Sequence, residues 1–142
     1  DITVAARSAS LTFLFAPKLG LCPDMGATHF LARRIGEARA RAFALTGAPI
    51  TADDAARMGL IAECVDDDRL MARALELAQG LAAGPREAFL AVRELMASAC
   101  TSSLPDQLER EAAAQGRLAD SPDFLEGVMA FREKRPAKFG QR

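Results

Sequence analysis

Tryptophan and tyrosine are absent from the 142 residues, and histidine occurs once. Without those rings, a nucleic-acid surface built on stacked aromatics has few candidates. Charge of one sign is lacking too. Eighteen basic side chains face nineteen acidic ones, for a net charge of −1. No strong field therefore draws nucleic acid or an anionic membrane. Cysteine is scarce, and Cys22, Cys64 and Cys100 lie far apart. Three scattered thiols make neither a metal cluster nor a disulfide framework, and a reducing cytoplasm is the expected compartment. No apolar run reaches the roughly 20 residues that cross a bilayer, and the opening residues do not read as a signal segment. Internal repeats and low-complexity stretches are missing. What remains is 50% apolar and 26% charged, the balance of a folded domain rather than a disordered chain. The length suits one domain or one large piece of a domain.

The chain enters at Asp1 on an apolar, β-branched stretch, which reads as the middle of a fold. Ile2 to Ala6 reads as a strand. Ser10 to Phe15, nearly all apolar, reads as a second one covered on both faces. "APKLGLCPDMG" follows, and its prolines and glycines predict a structured loop. From Ala27 the pattern is helical. Gly36, Gly47 and Gly59 are placed to end three successive helices. Thr51 with Asp54 three residues on resembles a capping box for the third. "LIAECV" reads as a short strand. Beyond Asp68 apolar residues recur at helical spacing, interrupted at Gly84-Pro85. Ser121-Pro122-Asp123 is a strong helix start, with a capping hydroxyl, Pro in the first turn and an acid near the positive end. Phe124, Val128 and Phe131 share one face of that helix, and Phe131 is expected in the core. These helices carry more apolar surface than the chain can hide by itself, which implies cover from another chain or another segment.

Four stretches, in order, resemble the enoyl-CoA hydratase/isomerase (crotonase) family. They are "DITVAA", "KLGLCPDMGATHFLARRIG", "ALTGAPITADDAARMGLIAECVDDD" and "FLEGVMAFREKRPAKF". The resemblance covers essentially the whole chain, but not the family's upstream part. It implies an α/β, predominantly helical chain: the C-terminal part of the crotonase-type spiral. Residues 1–83 would belong to the spiral core and 84–142 to a helical oligomerisation segment. It also implies a homotrimer or hexamer acting on acyl-coenzyme A thioesters. Coenzyme A would be part of the substrate, with no tightly bound cofactor and no metal.

The family polarises the thioester carbonyl with two backbone N–H groups, and such donors supply several kcal/mol of transition-state stabilisation. By the resemblance both lie upstream of Asp1, so this fragment alone is expected to be inactive. Chemistry next needs a proton acceptor. Hydratases of the family keep a glutamate where this chain has Ala16, which argues against ordinary hydration. The remaining carboxylate is Asp24 of "CPDMG". One base there can shuttle a proton between two carbons, as double-bond migration requires. The expected function is thus an enoyl-CoA isomerase with Asp24 as general base. Alternatives are a hydrolase or dehalogenase with Asp24 as nucleophile, a hydratase, or a non-catalytic assembly or binding fragment. Asp24 also fits a helix N-cap, which would lower its pKa and make it a poor base.

His29 sits near the start of the following helix and suits an ordinary surface or core position. Cys22 suits a small buried hydrophobe. At the far end the resemblance assigns Lys134 and Phe139 to coenzyme A, the cation to phosphate and the ring to adenine.

Overall fold

The computed structural model describes residues 1–140 and divides into two compact units, Asp1–Ala74 and Leu75–Arg142. The division falls inside a helix, ahead of the Gly84-Pro85 interruption.

In the first unit, β1 (Val4–Ala6) pairs in parallel with β4 (Glu63–Val65), Ala5 opposite Cys64. A parallel pair needs a long crossover, and the chain between them supplies α1 (Ala27–Ile35), α2 (Glu37–Thr46) and α3 (Ala52–Arg57). The second pair, β2 (Ser10–Leu11) with β3 (Ile50–Thr51), is antiparallel and only two residues long. The strand expected through Phe15 stops at Leu11. The pairing sets Ser10 opposite Thr51, which caps α3 through the Asp54 amide (3.1 Å), and Leu11 opposite Ile50, so a longer strand would next meet Pro49, which has no N–H to give. Beyond that point no partner strand is available, and Phe13 packs its ring on Phe43 instead, centroids 5.1 Å apart. Phe15–Leu19 then form a single π-helical turn, closed by Gly20 at φ 64°.

Sequence punctuation is otherwise where the local rules put it. Gly36, Gly47 and Gly59 follow the three helices, all with positive φ. The core gathers Leu31 and Ile35 of α1, Ala40 and Phe43 of α2, Ala52 and Ala55 of α3, with Leu60 and Ile61. Ala52 and Ala55 are fully buried. Outside the core, the Arg73 guanidinium donates two 2.8 Å hydrogen bonds to Glu63 and holds that carboxyl below the usual range.

The second unit is helical: the greater part of α4 (Leu70–Ala82), then α5 (Arg86–Ala99), α6 (Leu104–Ala119) and α7 (Pro122–Glu133). Ser103 and Ser121 cap α6 and α7, each accepting from an amide three residues on. Its buried residues, among those described, are Ala91, Ala114 and Ala130 alone. Large apolar side chains stay outside, among them Leu104, Met96 and Val92. Phe131 is one of them, 87% exposed, which corrects its expected core position. Phe124 and Val128, which share its stripe, stay partly open as well. No described helix is long and apolar enough to cross a membrane.

Gly47 is the tightest backbone junction of the first unit. A Cβ there would stand 2.6 Å from Pro17 Cγ and 2.7 Å from the Phe13 carbonyl oxygen. Gly20 has a similar left-handed φ with nothing within 4 Å. Alanine at either position carries the left-handed penalty of about 1–2 kcal/mol. Gly47→Ala adds an overpacking term of about 1–3 kcal/mol. Urea denaturation should therefore rank Gly47→Ala clearly below Gly20→Ala, and equal stabilities would contradict the close approach.

Candidate functional site

Asp24 lies in the loop between the π-helical turn and α1, and it is exposed. Two successive residues after it are left-handed, Met25 at φ 51° and Gly26 at φ 75°. That reversal aims the chain into α1. The N-cap of α1 is Gly26, with no side-chain cap bond. Asp24 contributes only its backbone carbonyl, which accepts from the Ala27 amide at 2.9 Å. The capping role considered for Asp24 is therefore not the one it plays. Its carboxylate has no hydrogen-bond or ion-pair partner among the described residues.

The loop's other polar groups are turned elsewhere. His29 is exposed, with Nδ1 2.6 Å from an Arg33 guanidinium nitrogen. Arginine only donates, so Nδ1 is the acceptor. The His29 ring also meets Phe30 edge-on, centroids 5.1 Å apart. Cys22 is exposed rather than buried, since this loop has no layer over it. The apolar side chains here are likewise uncovered, Leu21 at 59% and Met25 at 93% exposure. Ala16 sits in the π-helical turn and has no group able to activate water.

The second unit holds a separate cavity of about 780 Å³. Phe124, Val128 and Phe131 of α7 form one wall, and Phe139 of the following segment another. Structure thus brings Phe131 and Phe139 to one place, whereas Lys134 is exposed and lines no part of that cavity. Lys134 is the C-cap of α7, left-handed at φ 53°, and it turns the chain back along the helix. A Cβ on Gly127 would stand 3.7 Å from the Phe139 ring.

Sequence reasoning missed what fixes that segment. The Arg135 guanidinium donates to both Glu126 oxygens, at 2.6 and 2.9 Å, and the Lys138 amide donates to the same carboxylate at 2.8 Å. Arg135 also donates to Glu133, and the Gly140 amide to Asp123. These partners, Arg135 foremost, hold the Glu126 carboxyl down at about 2. The only signal was an acid nine residues before an arginine, a spacing outside the helical pair rules. Among the described residues no group of His, Cys, Asp and Glu is placed to hold a metal.

Residues 1–142 match the family model described as Enoyl-CoA hydratase/isomerase. A probable enoyl-CoA hydratase of Rhodobacter capsulatus is 45% identical over 142 residues, all of this chain and 55% of that protein. The 1,2-epoxyphenylacetyl-CoA isomerase of Escherichia coli is 41% identical over 139 residues, 98% of this chain and 53% of that protein. A crystal structure of an enoyl-CoA hydratase/isomerase from Mycobacterium abscessus superposes with a TM-score of 0.94 at 39% identity, covering all of this chain and 54% of the other. The chain spans about half the length of the relatives it matches.

Glu126 makes the 134–140 segment acid-sensitive. Its carboxyl sits below the ordinary 4.5 in the folded chain. A depressed carboxyl contributes stability that is fully present above its unfolded pKa and lost as pH falls through the folded value. Attachment of the segment should hold above pH 4.5 and fail as pH drops towards 2. The Lys138 and Gly140 amide resonances report it in an acid titration, and Glu126→Gln should erase the step. A wild-type response identical to that variant would refute the assignment.

Proposed function

The chain belongs to the enoyl-CoA hydratase/isomerase family, and from that premise we propose that it forms part of an acyl-coenzyme A isomerase with Asp24 as general base. The observation that carries this reading is the state of Asp24. It is an exposed carboxylate on a tight reversal, used neither as a helix cap nor in an ion pair among the described residues. Ala16, where the resemblance expects a hydratase's acid, removes the second carboxylate that hydration needs. A single base suffices to take a proton from one carbon of an enoyl thioester and return it to another.

The thioester carbonyl still has to be polarised. Backbone N–H donors aimed at the developing enolate oxygen do this best in a water-excluded site. In this reading they belong to polypeptide beyond these 142 residues, which also covers the Asp24 loop. The uncovered Leu21 and Met25 beside Asp24 support such a cover. Lys134 and Phe139 are assigned to the nucleotide end of the coenzyme A, and the apolar cavity wall at Phe139 suits a base. A trimer or hexamer would cover the apolar faces left open on α4 to α7. Relatives carry both names, a probable enoyl-CoA hydratase and a 1,2-epoxyphenylacetyl-CoA isomerase, so the choice between the two chemistries rests on Asp24 and Ala16.

Turnover of a 3-enoyl-CoA by the full-length protein tests the proposal. A positioned general base contributes about 10²–10⁴-fold, so Asp24→Asn should lower kcat by that order while KM changes little. Unchanged turnover removes Asp24 from the mechanism. A trapped covalent aspartyl adduct would instead establish the hydrolase or dehalogenase chemistry.

A further inference from the structure

The segment after α7 has no helix or strand of its own, yet it is tied to α7 at several points. Lys134 reverses the chain, and the Arg135 amide donates back to the Ala130 carbonyl at 3.0 Å. Glu126 then receives both arms of the Arg135 guanidinium and the Lys138 amide. One of its oxygens takes two of these bonds and the other takes one. Asp123, one helical turn earlier, receives the Gly140 amide at 2.9 Å. Phe139 lies between these two anchors, with its ring beside Gly127 and facing the cavity.

An exposed ion pair by itself contributes little. This one differs in kind. The fork geometry is bidentate, the Glu126 and Arg135 side chains are 25% and 37% exposed, and the same carboxylate binds a main-chain amide of the segment it holds. We infer that Glu126 is the positioning residue for Phe139: it fastens residues 135–138 to α7 and thereby sets the ring as a wall of the apolar cavity. The consequence for ligand recognition rests on the reading that Phe139 meets the nucleotide end of coenzyme A. In that case Glu126 governs affinity for the nucleotide without touching it.

Two measurements on the full chain separate the inference from the reading beneath it. The first is the nuclear Overhauser contact between the Phe139 ring and Gly127. Glu126→Ala and Arg135→Gln should each abolish it. Glu133→Ala should keep it, because Glu133 accepts from Arg135 alone among the described residues of the segment. Resonances of Ala91 and Ala114, buried in the same unit, report that its fold is intact. A contact that persists in Glu126→Ala overturns the inference. The second is affinity for an acyl-coenzyme A against the matching acyl-pantetheine, which lacks the nucleotide, measured by calorimetry on the full-length protein. Glu126→Ala and Phe139→Ala should each weaken the acyl-coenzyme A by about tenfold, the order of one lost ring stack, and leave the acyl-pantetheine unchanged. If the Overhauser contact is lost but neither variant discriminates the two ligands, the positioning role stands and the coenzyme A reading of Phe139 falls.

Discussion

The contact of the Phe13–Pro17 turn with the end of α2 is the constraint on which the Asp24 loop depends. Gly47 lets the Phe13 carbonyl and the Pro17 ring come closer than any side chain would permit. The Phe13 ring then lies on Phe43, inside the core. From this anchor the chain passes the π-helical turn and the Asp24 reversal, and enters α1, whose Leu31 and Ile35 are buried in the same core. The loop is therefore pinned at both ends while its middle stays uncovered. Under the isomerase reading, an acid held on a fixed reversal with its side chain uncommitted is the arrangement a general base needs.

The readable parts of the fold are those set by contacts a few residues apart. Thr51 with Asp54, Ser121 with Phe124, and the glycines after α1 to α3 act within one turn of chain. Caps and left-handed stops follow from such local chemistry. Ser10–Phe15 failed as a strand for the opposite reason. Its apolar run is satisfied by Phe43, a packing partner distant in sequence, and the residue that would extend the ladder beyond Ile50 is Pro49. Periodicity placed Phe131 correctly on a helix face but not in a core, because an amphipathic stripe states what wants cover and not what supplies it.

The candidate site divides in the same way. Asp24 and Ala16 stand out in the sequence because one carboxylate present and one absent carry chemical meaning at their positions in a motif, and the proposal for them rests on that. The Glu126 anchor was not, since an acid and an arginine nine residues apart meet only after Lys134 folds the chain back through its left-handed turn. Cys22 was misjudged on a compositional habit of burial that its uncovered loop does not meet.

The buried alanines of the second unit connect these observations to function. A helix packed on Ala91, Ala114 or Ala130 hides little apolar surface, while Val92, Met96, Leu104 and Phe131 face outwards. Burial stabilises by roughly 25 cal/mol per Å², so helices arranged this way gain little from packing on one another. The Asp24 loop shows the same deficit at Leu21 and Met25. A carboxylate acts as a base near neutrality when its surroundings disfavour its charge. Under the isomerase reading, the cover that those apolar residues require is the same cover that would desolvate Asp24 and bring the oxyanion donors. Completion of the fold and completion of the site then become one event.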